Sequence, residues 1–421
     1  MTKAEAFFEG MRGKRVSICG IGANNTPVIH QFLEAGAHVT ACDRRSREQL
    51  GAAVEPLEQA GARLLLGDGY LDQLTDADLI LRTPGMKPYL PAFEKAREAG
   101  IPVTSEMELF FELCPAPIYA VTGSDGKTTT TTIIAGLLSA AGRTVYLGGN
   151  IGRALLPCVR DIRPEDAAVV ELSSFQLTRM KQRPRVAVVT NVAPNHLDWH
   201  TDMQEYIDAK KNLVRYQAPS DRAVLNADNA VTATFAADTQ AQVSWFSRRH
   251  PVESGAWQAE DGTLYVREEG QDTPVLSVLD IRIPGVHNVE NYLAAISAVW
   301  GEVPVDVIKA YARDFGGVAH RCELVRERAG VRWYNDSIGS SPSRTIAGLN
   351  AFEKPVILIA GGYDKHIPYA PLGPVAAKTV KAAILMGATA DAIEAAIRAH
   401  ADLPIYRVYN MEAVSYTHLT L

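Results

Sequence analysis

Short apolar runs rich in β-branched residues recur along the chain. Many end in glycine, and they alternate with segments whose apolar positions repeat at helical spacing. Such runs predict strands of parallel sheets covered on both faces, with the intervening segments as the covering helices. The first pattern opens with a strand over 15–22 that ends in Gly20 and Gly22, followed by a helix over 26–35 and a strand over 37–43 closing on Asp43. It continues through an apolar run at 78–85 and a helix at 91–99, and it stops at the Cys114-Pro115-Ala116-Pro117 punctuation, where a domain boundary is expected. A second pattern begins at 118–122 and includes strands at 168–172, 186–192 and 223–226. The alternating stretches 242–246 and 263–267 predict a small antiparallel addition, and a helix over 288–300 closes this region. A third pattern runs from about residue 320, with strands at 331–336, 356–360 and 382–386. The expected fold class is therefore α/β in three domains, 1–114, 115–317 and 318–421, without internal repeats.

Composition narrows the functional classes. Of 421 residues 47% are hydrophobic and 21% charged, with a net charge of −6, which gives no reason to expect a nucleic-acid or acidic-membrane partner. The cysteines Cys19, Cys42, Cys114, Cys158 and Cys322 are odd in number and lack metal-binding spacing, so they are expected to be buried thiols in a reducing compartment. No long apolar run is present, and a cytoplasmic location is the expectation.

The chemistry concentrates at one strand-to-helix turn, Gly123, Ser124, Asp125, Gly126, Lys127, Thr128. Backbone N–H groups there and the start of the following helix offer donors and partial positive charge to a polyphosphate. Lys127 would reach the β- and γ-phosphates, and the Thr128 hydroxyl would sit on Mg²⁺. The glycine spacing is shorter than in the common phosphate loop, so a plain glycine turn with a surface lysine is the alternative. Glu171, at the end of the strand over 168–172, is placed for Mg²⁺, and His196 and Asp198 follow on the same sheet edge.

Taken together, these segments resemble the Mur ligases of peptidoglycan synthesis. The resemblance rests on GSDGKTTT at 123–130, GGNIG at 148–152, ELSSFQL at 171–177, NHLDWH at 195–200 and YIDAK at 206–210. It continues with GVHNVEN at 285–291, HRCELV at 320–325, NDSIGSSPSRT at 335–345 and GGYDK at 361–365. It implies a Rossmann-like N-terminal domain for a UDP sugar, a central phosphate-loop ATPase domain with a mostly parallel sheet, and a Rossmann-like C-terminal domain for the incoming amino acid. ELSSFQL points to the branch that joins D-glutamate to UDP-N-acetylmuramoyl-L-alanine through an acyl phosphate, with ATP and two Mg²⁺ sites. The phosphate loop alone would also fit a folylpolyglutamate-type ligase.

Carried over residue by residue, the resemblance assigns Thr128 and Glu171 to one metal site and His196 to a second. Lys210 becomes a carbamylated metal ligand; without the family it reads as a solvated lysine beside Lys211. Lys127, His196 and Lys210 are the implied catalytic residues. Gly123 to Thr129, with Asn288, Asn291, Arg321 and Asp336, would bind ATP. The UDP sugar would lie along Gly22, Ala23, Asn24, Asn25, Thr26, Asp43, Arg44 and Thr83. Asn150, Ser173 and Gln176 would hold the muramoyl part, and Lys365 the D-glutamate carboxylate. Asp43 alone would equally suit an NAD ribose, although the first turn lacks the third glycine of that fingerprint. A monomer without nucleic-acid or membrane partners is expected.

Two departures stand out. Ile338 occupies a position where many members carry lysine, with Arg344 the candidate to replace the lost cation. The segment 414–421 does not match the family and reads as a foreign ending, so a C-terminally truncated chain lacking part of the amino-acid site is expected. A nucleotide-binding remnant with little turnover is the competing reading.

Overall fold

The structure, a computed structural model, describes residues 1–194, 199–337, 339, 341–364 and 367–412. Its first sheet is built from β1 (Arg15–Cys19), β2 (His38–Asp43), β3 (Arg63–Leu66), β4 (Leu79–Arg82) and β5 (Val103–Thr104), ordered β3-β2-β1-β4-β5 and parallel throughout. The chain leaves β1 in one direction to reach β2 and β3, and in the other to reach β4 and β5. That reversal opens a crevice at the strand ends.

The second sheet has nine strands: β6 (Ile118–Thr122), β7 (Val145–Gly149), β8 (Ala167–Glu171), β9 (Val186–Val189), β10 (Arg222–Asn226), β11 (Gln242–Ser247), β12 (Gly255–Gln258), β13 (Thr263–Glu268) and β14 (Gln271–Ser277). Their order is β14-β13-β12-β11-β10-β9-β6-β8-β7. β6 and β8 are buried at every residue, as strands covered on both faces must be. β6 lies between β8 and β9, so the turn after it stands at a second point of reversal. One correction concerns the small addition: β11 pairs in parallel with β10, and only β13 and β14 form the antiparallel extension. Alternating polarity marks exposure of one face, and it does not set strand direction.

The chain divides into two compact units. One comprises Met1–Val278 with Glu290–Tyr311, and the other Leu279–Val289 with the chain from Ala312 onward. The first unit holds both sheets above, and apolar residues from each, such as Phe8, Phe32, Leu156 and Leu177, share one core. In the second unit β17 (Val356–Gly361), β18 (Val380–Met386) and β19 (Ile405–Arg407) form a parallel sheet around a separate core that includes Leu372, Leu385 and Ile397.

The predicted strand at 331–336 does not join that sheet. As β16 (Val331–Asn335) it pairs antiparallel with β15 (Glu323–Arg328) in a two-stranded ribbon. Arg326, Glu327, Arg328 and Arg332 keep much of this ribbon exposed, and a strand so charged cannot be covered on both faces.

Candidate active site

The phosphate loop follows β6 and feeds helix Lys127–Ala140. Gly123 and Gly126 take φ of 149° and 76°, which L side chains avoid, and a Cβ on either would strike Thr190 or Asn291. The loop is tied down from β9: Asn191 Oδ1 accepts from the Asp125 N–H at 2.9 Å, and the Thr190 hydroxyl donates to the Asp125 carbonyl at 2.6 Å. Ser124 Oγ lies 2.9 Å from Tyr206 OH and donates to the Ala193 carbonyl. A glycine turn with a solvated lysine would need none of this bracing.

Three side chains converge at the start of the helix. Thr128 Oγ1 donates to Glu171 Oε2 at 2.7 Å, and Asn150 Nδ2 donates to Glu171 Oε1 at 2.7 Å. Both carboxylate oxygens of this buried residue are therefore engaged, Oε2 by the start of the phosphate-loop helix and Oε1 by the turn after β7. Lys127 Nζ donates to the carbonyls of Gly123 and Ser124, at 2.9 and 3.0 Å. Thr129 is buried, and Thr130 donates to Asn291 Oδ1 at 3.1 Å, which places Asn291 directly behind Gly126.

Lys210 is not solvated; it is 1% exposed. It lies on helix Met203–Arg215, whose first turn Asp202 caps, and its Nζ donates to the Gly123 carbonyl at 2.8 Å and sits 4.7 Å over the Tyr206 ring. Burial first, then the Lys127 charge, hold its pKa well below the ordinary lysine range against the pull of Asp125 and Glu171. A neutral amine is the form that can react with carbon dioxide.

Ser173 and Gln176 engage each other. Gln176 Oε1 accepts from Ser173 N and Oγ at 2.9 Å, capping the short helix Ser174–Leu177 at the end of β8.

A cleft of about 630 Å³ is lined by Gly22, Ala23, Asn24, Asn25, Asp43, Arg44 and Thr83, all expected there, together with Tyr70 and Lys87. Asp43 does not stand open as a ribose ligand would: it accepts from the Ile21 N–H at 2.7 Å and from Arg45 through both Nε and Nη2. Burial raises its pKa, but the Arg45 and Ile21 hydrogen bonds outweigh that and leave it lowered. Thr26 does not line this cleft; its hydroxyl donates back to the Gly22 carbonyl at 3.0 Å.

Asn288, Arg321 and Asp336 belong to the second unit. Asn288 Nδ2 donates to the Pro284 carbonyl at 2.6 Å, and Asp336 Oδ1 accepts from the Cys322 N–H at 3.1 Å. Burial first, and Asp336 second, push the Cys322 thiol up to about 12. His320 and Cys322 flank Arg321 at φ of 62° and 41°, a strained pair of non-glycine residues. His196, Asp198, Ile338, Lys365 and the expected foreign ending at 414–421 lie outside the described residues. Arg45, Tyr206 and His200, which the sequence alone does not mark, stand beside residues of the expected set: Arg45 on Asp43, Tyr206 on Ser124 and His200 against Tyr206. For Tyr206 the available signal was its place one helical turn before Lys210.

Comparison with known proteins identifies the family. The Mur ligase middle domain family matches residues 121–299, and the Mur ligase MurD-like N-terminal domain family matches 14–105. The chain is 50% identical over 418 residues to the UDP-N-acetylmuramoylalanine–D-glutamate ligase of Acetivibrio thermocellus, covering 98% of this chain and 90% of that protein. It is 46% identical over 405 residues to the protein of the same name from Clostridium novyi, covering 95% and 87%. Among solved structures, the UDP-N-acetylmuramate-alanine ligase of Thermotoga maritima shares the fold with a TM-score of 0.58 at 17% identity, over 96% of this chain and 92% of that one. The phosphate loop, its carboxylate and the near full-length identity agree: the chain belongs to the Mur ligase family.

Proposed function

We propose that this protein is the ATP-dependent amide ligase that adds D-glutamate to UDP-N-acetylmuramoyl-L-alanine in peptidoglycan precursor synthesis. The observation that carries the reading is the near full-length identity to ligases of that name, seated on a braced phosphate loop. The substrate's alanyl carboxylate attacks the γ-phosphorus of ATP, releasing ADP and forming an acyl phosphate. The D-glutamate amine then attacks the acyl carbon, inorganic phosphate leaves, and the amine loses a proton.

This chain's residues act mainly by position and charge. The N–H groups of the phosphate loop and Lys127 bind the polyphosphate, and Lys127 exchanges two loop carbonyls for phosphate oxygens. The hard oxygens of Thr128 and Glu171, 2.7 Å apart and backed by Asn150, fit a divalent cation such as Mg²⁺. When bound there it would neutralise charge on the phosphates. A second Mg²⁺ is part of the reading, held by His196 and a carbamylated Lys210. The buried amine with its lowered pKa supports carbamylation, because only the neutral form accepts carbon dioxide.

The cleft beside Asp43 and Thr83 takes the UDP end, with Arg44, Tyr70 and Lys87 facing it. Asn150, Ser173 and Gln176 lie toward the muramoyl end, while Asn288, Asn291, Arg321 and Asp336 serve ATP and Lys365 serves D-glutamate. Domains 1–114, 115–317 and 318–421 divide these tasks, a division that the family matches at 14–105 and 121–299 support. A cytoplasmic monomer acting without nucleic acid or membrane insertion completes the reading. The net charge of −6 supports it, and no helix among the described residues is long and apolar enough to cross a membrane.

The test is phosphate release from ATP with UDP-N-acetylmuramoyl-L-alanine and a panel of amino acids. Release is expected with D-glutamate alone, is abolished by chelation and returns with Mg²⁺. Lys127→Ala should lower it at least ~100-fold while UDP-sugar binding persists. Release with another amino acid in place of D-glutamate contradicts the assignment.

A further inference from the structure

One buried histidine remains without a role in the chemistry above. The His200 side chain is fully buried, and its Nε2 lies 2.9 Å from Ser174 Oγ, the first residue of the helix that Ser173 and Gln176 cap. Its Nδ1 faces Glu205 Oε2 at 3.7 Å. Its ring packs edge-on against Tyr206, with centroids 5.3 Å apart, and Tyr206 in turn reaches Ser124 of the phosphate loop and underlies the Lys210 amine. On the other side stands Trp199, 4.7 Å away between centroids, whose indole N–H donates to the Gly85 carbonyl at the rim of the UDP cleft. One imidazole thus touches the ELSSFQL turn, the Tyr206–Lys210 face of helix Met203–Arg215 and the neighbour of the cleft rim.

Space-filling alone does not require a nitrogen at this place. Phe175, Trp199 and Tyr206 already supply apolar surface, and a phenyl ring would pack among them. The imidazole adds a directed bond to Ser174 Oγ, three residues from Glu171 and one from Ser173. A buried polar contact of this kind fixes orientation, because its loss leaves the partner hydroxyl unsatisfied.

We propose that His200 is a positioning residue for phosphoryl transfer, holding the Glu171–Ser174 turn in register with the phosphate loop through Ser174 on one side and Tyr206 on the other. The inference rests on the reading of that loop as the ATP site of a D-glutamate ligase. It acts on the reacting geometry and not on nucleotide capture, so its effect falls on kcat and leaves the KM for ATP largely in place.

The experiment compares the full wild-type chain with His200→Phe, His200→Gln, Ser174→Ala and the His200→Phe/Ser174→Ala pair, measuring kcat, each KM and Tm. His200→Phe is expected to keep Tm close to wild type yet lose about 10- to 100-fold in kcat, with KM for ATP changed less than about threefold. His200→Gln, which can again reach Ser174, should recover most of the rate. Ser174→Ala should match the loss of His200→Phe, and the double variant should be no slower than either single one. Wild-type kcat in His200→Phe overturns the inference, as do independent, multiplying losses in the pair. Should His200→Phe fail to fold, Ser174→Ala alone decides, since wild-type kcat there removes the proposed contact from the mechanism. A wild-type chain without D-glutamate-dependent phosphate release contradicts the ligase reading itself, an outcome separate from an active wild type with unaffected variants.

Discussion

Asp43 illustrates how a residue legible in sequence acquires its duty from neighbours. Its position at the end of β2 is readable, but its oxygens are occupied by Ile21 and Arg45, so it shapes the loop after β1 that lines the cleft proposed for UDP. Because its folded pKa is lowered, it stabilises the fold above the ordinary aspartate value of about 3.9, and that stabilisation is lost as pH falls through the folded value. Asp43→Asn is expected to cost about 2 kcal/mol at pH 7, in line with hydrogen bonds to a charged group. Urea midpoints measured down from pH 7 should show the gap to wild type closing below about pH 4. A gap that stays constant would mean that the charge on Asp43 contributes nothing.

At the scale of elements, helix Lys127–Ala140 shows local preference and tertiary fit in opposition. Gly136 sits in its interior, where alanine would gain about 1 kcal/mol of helix propensity. A Cβ there, however, would run into the ring and hydroxyl of Tyr311. Displacing a packed ring costs about 1–3 kcal/mol, so Gly136→Ala should lower Tm despite the propensity gain. A raised Tm would show that Tyr311 moves aside freely. The same contest explains two strands. β11 looked antiparallel from its alternation, yet hydrogen bonding to β10 made it parallel, and β16 looked like a sheet strand until the charges of its ribbon kept it from being covered.

For the whole molecule, the unit that contains β1 to β14 holds the cleft beside Asp43, so a ligand bound there should raise the stability of that unit. UDP-N-acetylmuramoyl-L-alanine at a hundredfold excess over Kd should add about 2.7 kcal/mol to the unit that contains β1 to β14. Calorimetry should then show the transition of that unit moving up with ligand concentration; a transition that stays in place would contradict binding there. Sequence by itself determined the α/β class, the phosphate loop and the place of Glu171 at a strand end, because glycine spacing and buried β-branched runs are local signals, whereas Lys210 entered only through the family resemblance and read alone as a solvated lysine. Tertiary structure alone decided that Glu171 is gripped by Thr128 and Asn150, that Lys210 is buried against Gly123, and that His200 joins Ser174 to Tyr206. Those contacts link residues brought together only when strands distant in the chain pair at the points where the strand order reverses, and burial, which lowers the pKa of Lys210, exists only once they have.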